Sequence, residues 1–129
     1  MKLASFVSEY SYSGMRVVSG FAFASHGVQK VFGGFGADQP AELMSLLGFA
    51  GIVELVGGTL ISLGLYTTFS AFLASGQMAV AYFMAHQPQG FLPIVNGGEL
   101  AVLYCFLFLY IASRGSGAVS LDRLLRGLR

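Results

Sequence analysis

PAELMSLLGFAGIVELVGGTLISL, residues 40–63, decides the fold. The stretch is apolar and rich in small residues, and it is long enough as a helix to cross about 30 Å of hydrocarbon. Glu54 lies well inside it. An unpaired charge at a bilayer centre costs about 2.5–3.5 kcal/mol on the gentlest scale, so Glu54 needs polar company rather than lipid. Three further apolar segments supply it. The first, about 14–32, holds Arg16, His26 and Lys30; the third, about 68–86, holds Gln77; the fourth, about 97–113, begins near Glu99. The pattern predicts an all-α, polytopic membrane protein, a four-transmembrane-helix bundle with a polar core, forming a single membrane domain over residues 1–129.

Composition agrees. The chain is 55% apolar and 10% charged, with a mean hydropathy of +0.72, whereas soluble domains carry roughly 25% charged residues. Four spans and short connections nearly exhaust the 129 residues, so no soluble catalytic domain is expected among them. A net charge of +1 gives no reason to expect nucleic acid as a partner. The single cysteine, Cys105, excludes an intramolecular disulfide and a Cys-x-x-Cys relay. Residues 1–14 are polar and no Ala-x-Ala site follows a short apolar run, so the first hydrophobic segment is expected to be retained.

Segment boundaries follow from breakers and caps. Gly33-Gly34-Phe35-Gly36 closes the first segment, Pro40 suits a first helical turn, Pro88 stops the third segment, and Arg114-Gly115 ends the fourth. Lys2, Arg16, Arg114, Arg123, Arg126 and Arg129 fall on one side of such a bundle and only Lys30 on the other. Both termini are therefore expected in the cytoplasm. With no tryptophan present, Tyr10, Tyr12, Tyr66, Tyr82 and Tyr110 are the candidate interfacial rings. In the tail, Leu121, Leu124, Leu125 and Leu128 share a helical face behind Ser120, a plausible N-cap, with arginines off that face. A short interfacial helix over about 120–128 is expected on anionic lipid, with a frayed basic end as the alternative.

Helical phase gathers the polar residues. At 100° per residue, Arg16, Ser19, Gly20, Phe23, His26, Gly27 and Lys30 fall on one face, opposite Val17, Val18, Phe21 and Val28. Ala50, Gly51, Glu54, Gly57, Gly58 and Ile61 form a second stripe whose small residues permit close helix approach. Ser70, Ala74, Gln77 and Ala81 form a third, and Glu99 aligns with Val102, Leu103, Phe106 and Tyr110. At 1.5 Å per residue, His26 lies roughly 9 Å, Gln77 about 13 Å and Glu54 roughly 16–20 Å below the outer end of its helix. Lys30, His86, Asn96 and Glu99 lie near the outer surface, and Arg16 stands alone at the cytoplasmic end. Plainer roles compete: Lys30 and Arg16 near helix ends could only snorkel. Gln77 could be interhelical glue, Glu99 could close a cap with Asn96, His86 could belong to a loop, and Cys105 could merely pack. Glu54 resists a plain reading best.

The run Arg16…Ser25-His26-Gly27-Val28-Gln29-Lys30-Val31-Phe32-Gly33 resembles the DoxX family, as does Gly51-Ile52-Val53-Glu54-Leu55-Val56-Gly57-Gly58…Gly64-Leu65-Tyr66-Thr67. Asn96-Gly97-Gly98-Glu99 and Gly115-Ser116-Gly117…Ser120-Leu121-Asp122 complete the likeness over nearly the whole chain. The resemblance implies a small bacterial or archaeal four-helix protein of the cytoplasmic (inner) membrane, associated with quinone-linked respiratory complexes or with redox and thiol-stress systems. The matching positions are Arg16, His26, Gly27, Lys30, Glu54, Gly57, Gly58, Glu99 and Asp122. Among them, Arg16, Gly57, Gly58 and Asp122 are expected to be structural anchors.

The leading expectation is an accessory or redox-linked subunit, not a stand-alone enzyme, whose polar cluster of His26, Lys30, Glu54, Glu99 and Gln77 binds a quinone head group or relays protons. His26 and Lys30 would donate hydrogen bonds, Phe23 and Phe106 would line the walls, and Glu54 or Glu99 would exchange protons. Electrons would come from a partner's flavin or metal, since nothing in this chain carries electrons alone. The alternative is a purely structural or assembly subunit, in a larger membrane complex or a homo-oligomer, with the cluster as interhelical glue. Proton conduction ranks lower, because the chain is short and shows no inverted repeat. No covalently bound cofactor is expected. Haem on His26 and His86 is disfavoured by their differing depths and directions, and a metal on His26, Glu54 and Glu99 competes with simpler charge pairing.

Overall fold

The computed structural model describes residues 2–127, which puts the expectations for Leu128 and Arg129 outside the described residues. The described residues form six α-helices and no strand: α1 Lys2–Phe32, α2 Leu46–Leu63, α3 Thr67–Ala81, α4 Pro93–Asn96, α5 Glu99–Arg114 and α6 Leu121–Gly127. A π-helical turn, Tyr82–His86, and a 3-10 turn, Gln87–Gln89, carry α3 onward to Gly90. By length and composition, Leu46–Leu63 and Thr67–Gln89 are the stretches able to cross a membrane. α5 has only 16 residues, and α1 dilutes its apolar side chains with Ser, Gly and charge.

Several boundaries differ from the sequence reading for identifiable reasons. α1 begins twelve residues before Gly14, because the polar N-terminal turns have a partner. Tyr12 and Ser13 are buried, and the Tyr12 hydroxyl donates to the Gly115 carbonyl at 2.5 Å. Arg114 stacks on the Tyr12 ring, 4.1 Å from its centroid, and pairs with Glu9 at 2.8 Å. α2 starts at Leu46 rather than near Pro40, since Ser45 caps it by accepting from Gly48 N at 3.0 Å. Residues 40–45 are irregular, and Ala41 N donates to the Lys30 carbonyl at the end of α1. α2 ends in a Schellman pair: Gly64 N donates to Ile61 O and Leu65 N to Leu60 O, with Gly64 at φ +70°.

α1 packs antiparallel on α2, α3 packs antiparallel on α5, and α2 lies against α3. The α1–α2 seam is glycine on both sides. A Cβ at Gly27 would lie 2.3 Å from Leu55 N, at Gly20 2.5 Å from Ser62 N, and at Gly58 2.5 Å from Ala24 N. Gly20 with Gly27, and Gly51 with Gly58, repeat at a seven-residue spacing that keeps each pair on one face. Gly57 is not in the seam: a Cβ there meets nothing within 4 Å, because the residue is rotated one step away. Its expected anchoring role passes to Gly51, Gly20 and Gly27.

The polarity of the bundle is inside out. Arg16, Ser19, Glu54, Ser70 and Ser75 are buried, while Phe21, Phe49, Ile52, Phe72, Val80, Leu103 and Phe106 are exposed. On α5 the buried side is Ala101, Tyr104, Phe108, Ile111 and Ala112. The predicted stripe of Leu103, Phe106 and Tyr110 instead faces outward, so Phe106 is no wall of a polar core; Tyr104 and Phe108 take that place around Phe23. Tyr12 and Tyr82 are likewise buried rather than interfacial, each with its hydroxyl donating to a backbone carbonyl.

Candidate functional site

Glu54 sits at the middle of α2 and is 2% exposed. Lys30, two residues before the end of α1, lays its stem across Gly51, whose absent side chain leaves room for it: a Cβ there would lie 2.6 Å from Lys30 Cβ. The ammonium thereby reaches both carboxylate oxygens, at 2.7 Å to Oε1 and 2.5 Å to Oε2. From α3, Gln77 Nε2 donates to Glu54 Oε1 at 2.9 Å and, at 3.3 Å, to the Ala50 carbonyl. Three helices thus converge on one carboxylate.

The cluster is nearly but not wholly satisfied. Gln77 Oε1 is buried without a hydrogen-bond donor, which is costly in a low-dielectric interior. Lys30, for its part, spends two of its three ammonium hydrogens on Glu54, and its side chain is 26% exposed. The Tyr104–Phe108 stack, with ring centroids 5.2 Å apart, and Phe23 close the interior between α1 and α5.

The other expected members of the cluster stand apart. His26 is half-buried one turn before Lys30 and has no hydrogen bond to the carboxylate. Glu99 opens α5 on an exposed position. The capping pattern read at Asn96 resolves differently: Gly98 is the N-cap, and Asn96 Oδ1 accepts from Gly98 N at 2.8 Å. The Asn96 amide donates to the Gly90 carbonyl and the Tyr82 hydroxyl, stitching the loop that follows α3. His86 is not in a loop but closes the π-helical turn, with Nδ1 3.3 Å from the Asn96 carbonyl oxygen. Among the described residues no three His, Cys, Asp or Glu side chains converge on a metal position. Cys105 packs at α5 with its carbonyl accepting from Ser75.

A second polar assembly occupies the opposite end. Arg16 neither stands alone nor snorkels: it is 1% exposed, and Nη1 donates to the Ile61 and Ser62 carbonyls at 2.5 and 2.7 Å. Nη2 donates to the Val119 carbonyl. The guanidinium therefore caps the C-terminus of α2, where the helix dipole favours a cation. Asp122 does the converse for α3. It accepts from Tyr66 N at 3.0 Å and from Thr67 N and Oγ1 at 3.2 Å, while its own N–H donates to the Gly64 carbonyl. Residues 61–67 are gripped from α1 at Ile61 and Ser62 and from the tail at Gly64, Tyr66 and Thr67. Sequence reasoning marked Arg16 and Asp122 separately but missed that both act on the α2–α3 connection; the Gly64-Leu65-Tyr66-Thr67 turn was the available signal.

An inside-out helical bundle with an ion pair shared between helices defines a small helical membrane protein. The chain belongs to the DoxX family, whose model matches residues 13–87. It is 42% identical over 123 residues to an uncharacterized protein of Haemophilus influenzae, a match covering 88% of this chain and 89% of the relative. A second uncharacterized protein of the same organism is 32% identical over 73 residues, covering 57% of this chain and 48% of that protein. No solved structure matches the chain.

Proposed function

We propose that this DoxX-family protein is a multi-pass subunit of the bacterial cytoplasmic membrane, crossing it four times with both termini inside, and that it serves a quinone-linked or thiol-redox assembly. The exposed apolar faces of α1, α2, α3 and α5 support four crossings. The arginines at the Arg16 end support the orientation. The observation that carries the functional reading is the incompletely satisfied cluster: Glu54 held by Lys30 and Gln77, with Gln77 Oε1 lacking a donor. A quinone head group complements it. Its carbonyl would accept the remaining Lys30 hydrogen, a quinol hydroxyl would donate to Gln77 Oε1, and Glu54 would exchange the proton. Electrons would come from the flavin or metal of a partner subunit.

Titration of the purified protein in detergent with a short-chain benzoquinone tests this. Lys30→Met and Gln77→Leu should each weaken binding at least tenfold while helical circular dichroism is retained. Equal binding by wild type and both variants would remove the assignment. A second reading, a purely structural subunit, is favoured by the glycine seam and by the two hydrogen bonds that tie Lys30 to Glu54. It expects no quinone binding and changes in stability or complex assembly alone.

A further inference from the structure

We infer that the tail end of the bundle carries a binding site for the phosphate head group of an anionic phospholipid, centred on Arg123. Two adjoining depressions share this residue. One, of about 510 Å³, is polar and basic: Arg114, Arg123 and Arg126 surround it together with Thr68, Ser113 and Ser116. The other, of about 560 Å³, is lined by Ala118, Val119, Leu124 and the same Arg123. A cationic hollow beside an apolar one matches the two parts of a phospholipid, an oxyanion and the start of its acyl chains.

The three arginines are not equivalent. Arg114 is fixed by Glu9, by the Tyr110 hydroxyl at 3.1 Å and by stacking on Tyr12, so it forms a rigid wall. Arg123 and Arg126 have exposed side chains on α6 that make no hydrogen bond or ion pair among the described residues, and they are free to close on an oxyanion bidentately. α6 itself is placed by Asp122 against the α2–α3 turn and by Ser120, whose Oγ accepts from Arg123 N at 3.2 Å. Leu121, Leu124 and Leu125 remain exposed on the same short helix. Apolar side chains beside free arginines at the end of a membrane bundle place the site at head-group depth.

The shared chemistry is a phosphate oxyanion, and lipid and free phosphate are separated by experiment. Native mass spectrometry of the full chain released from detergent containing equal phosphatidylglycerol and phosphatidylcholine should show preferential retention of phosphatidylglycerol. Arg123→Gln and Arg126→Gln should each reduce that preference about fivefold, the factor expected for one basic side chain at an anionic surface. Lys2→Gln, which removes the same charge elsewhere, should leave it unchanged. Added inorganic phosphate at millimolar concentration should not displace the lipid. Equal retention of the two lipids, an equal effect of Lys2→Gln, or displacement by inorganic phosphate would each overturn the proposal.

Discussion

Lys30 and Glu54 are bound unequally to their surroundings, and that asymmetry predicts how each will respond to substitution. Glu54 is 2% exposed, whereas the Lys30 side chain is 26% exposed and can swing toward the head groups. Lys30→Met strands a buried carboxylate and should cost about 3 kcal/mol, the range for breaking one side of a buried pair. Glu54→Gln should cost less, because it leaves a neutral amide to Gln77 and a lysine that can withdraw. Replacing both by methionine should recover most of the Lys30→Met loss, as apolar replacements of buried pairs commonly do. Unfolding by SDS titration from mixed micelles gives all three values; a double variant no more stable than Lys30→Met would contradict this account. That Glu54 needed a partner was legible from its depth alone. Which partner was not: His26 and Lys30 were both available donors on the same face of α1, and only the bare surface of Gly51 selects Lys30 by clearing its path.

At the scale of the element, the α1–α2 hairpin depends on which glycine faces the neighbouring backbone. Gly58→Ala places a methyl 2.5 Å from Ala24 N and 2.6 Å from Gly20 O, rigid atoms that can retreat only by separating the helices. Gly57→Ala meets nothing within 4 Å, and it removes a helix-interior glycine that costs roughly 1 kcal/mol relative to alanine. Adjacent substitutions of the same chemistry should therefore shift the melting temperature in opposite directions, down for Gly58→Ala and level or up for Gly57→Ala. Gly20→Ala and Gly27→Ala should follow Gly58→Ala. Helical phase found the polar stripes of α1 and α2 because glycine, serine and charge mark them. It misassigned α5, whose buried face of Ala101, Tyr104, Phe108, Ile111 and Ala112 is as apolar as its outward face. Where both faces are apolar, periodicity carries no direction, and Glu99 at the helix start supplied a false one.

At the scale of the whole molecule, one end is closed by residues distant in sequence. Arg16 and Val119 are separated by 103 positions, and Asp122 lies 56 beyond Tyr66. Asp122→Ala should remove the acceptor for the Tyr66 and Thr67 N–H groups and the Thr67 hydroxyl. Amide hydrogen exchange in detergent should then accelerate around residues 64–68, with the centres of α2 and α5 unchanged. Faster exchange spread evenly over the bundle would show that the clasp is not local. The four apolar segments and their breakers were legible in the chain, but the clasp was not, because nothing in residues 118–122 announces a target fifty to a hundred positions away. The clasp also has a consequence for biogenesis. Arg16 leaves the ribosome long before Val119, so the nascent protein must carry a buried-to-be guanidinium through insertion with one carbonyl ligand still unmade. Completion of this end waits on translation of the tail, and a ribosome stalled before residue 119 would hold α1 and α2 together with their arginine only partly coordinated.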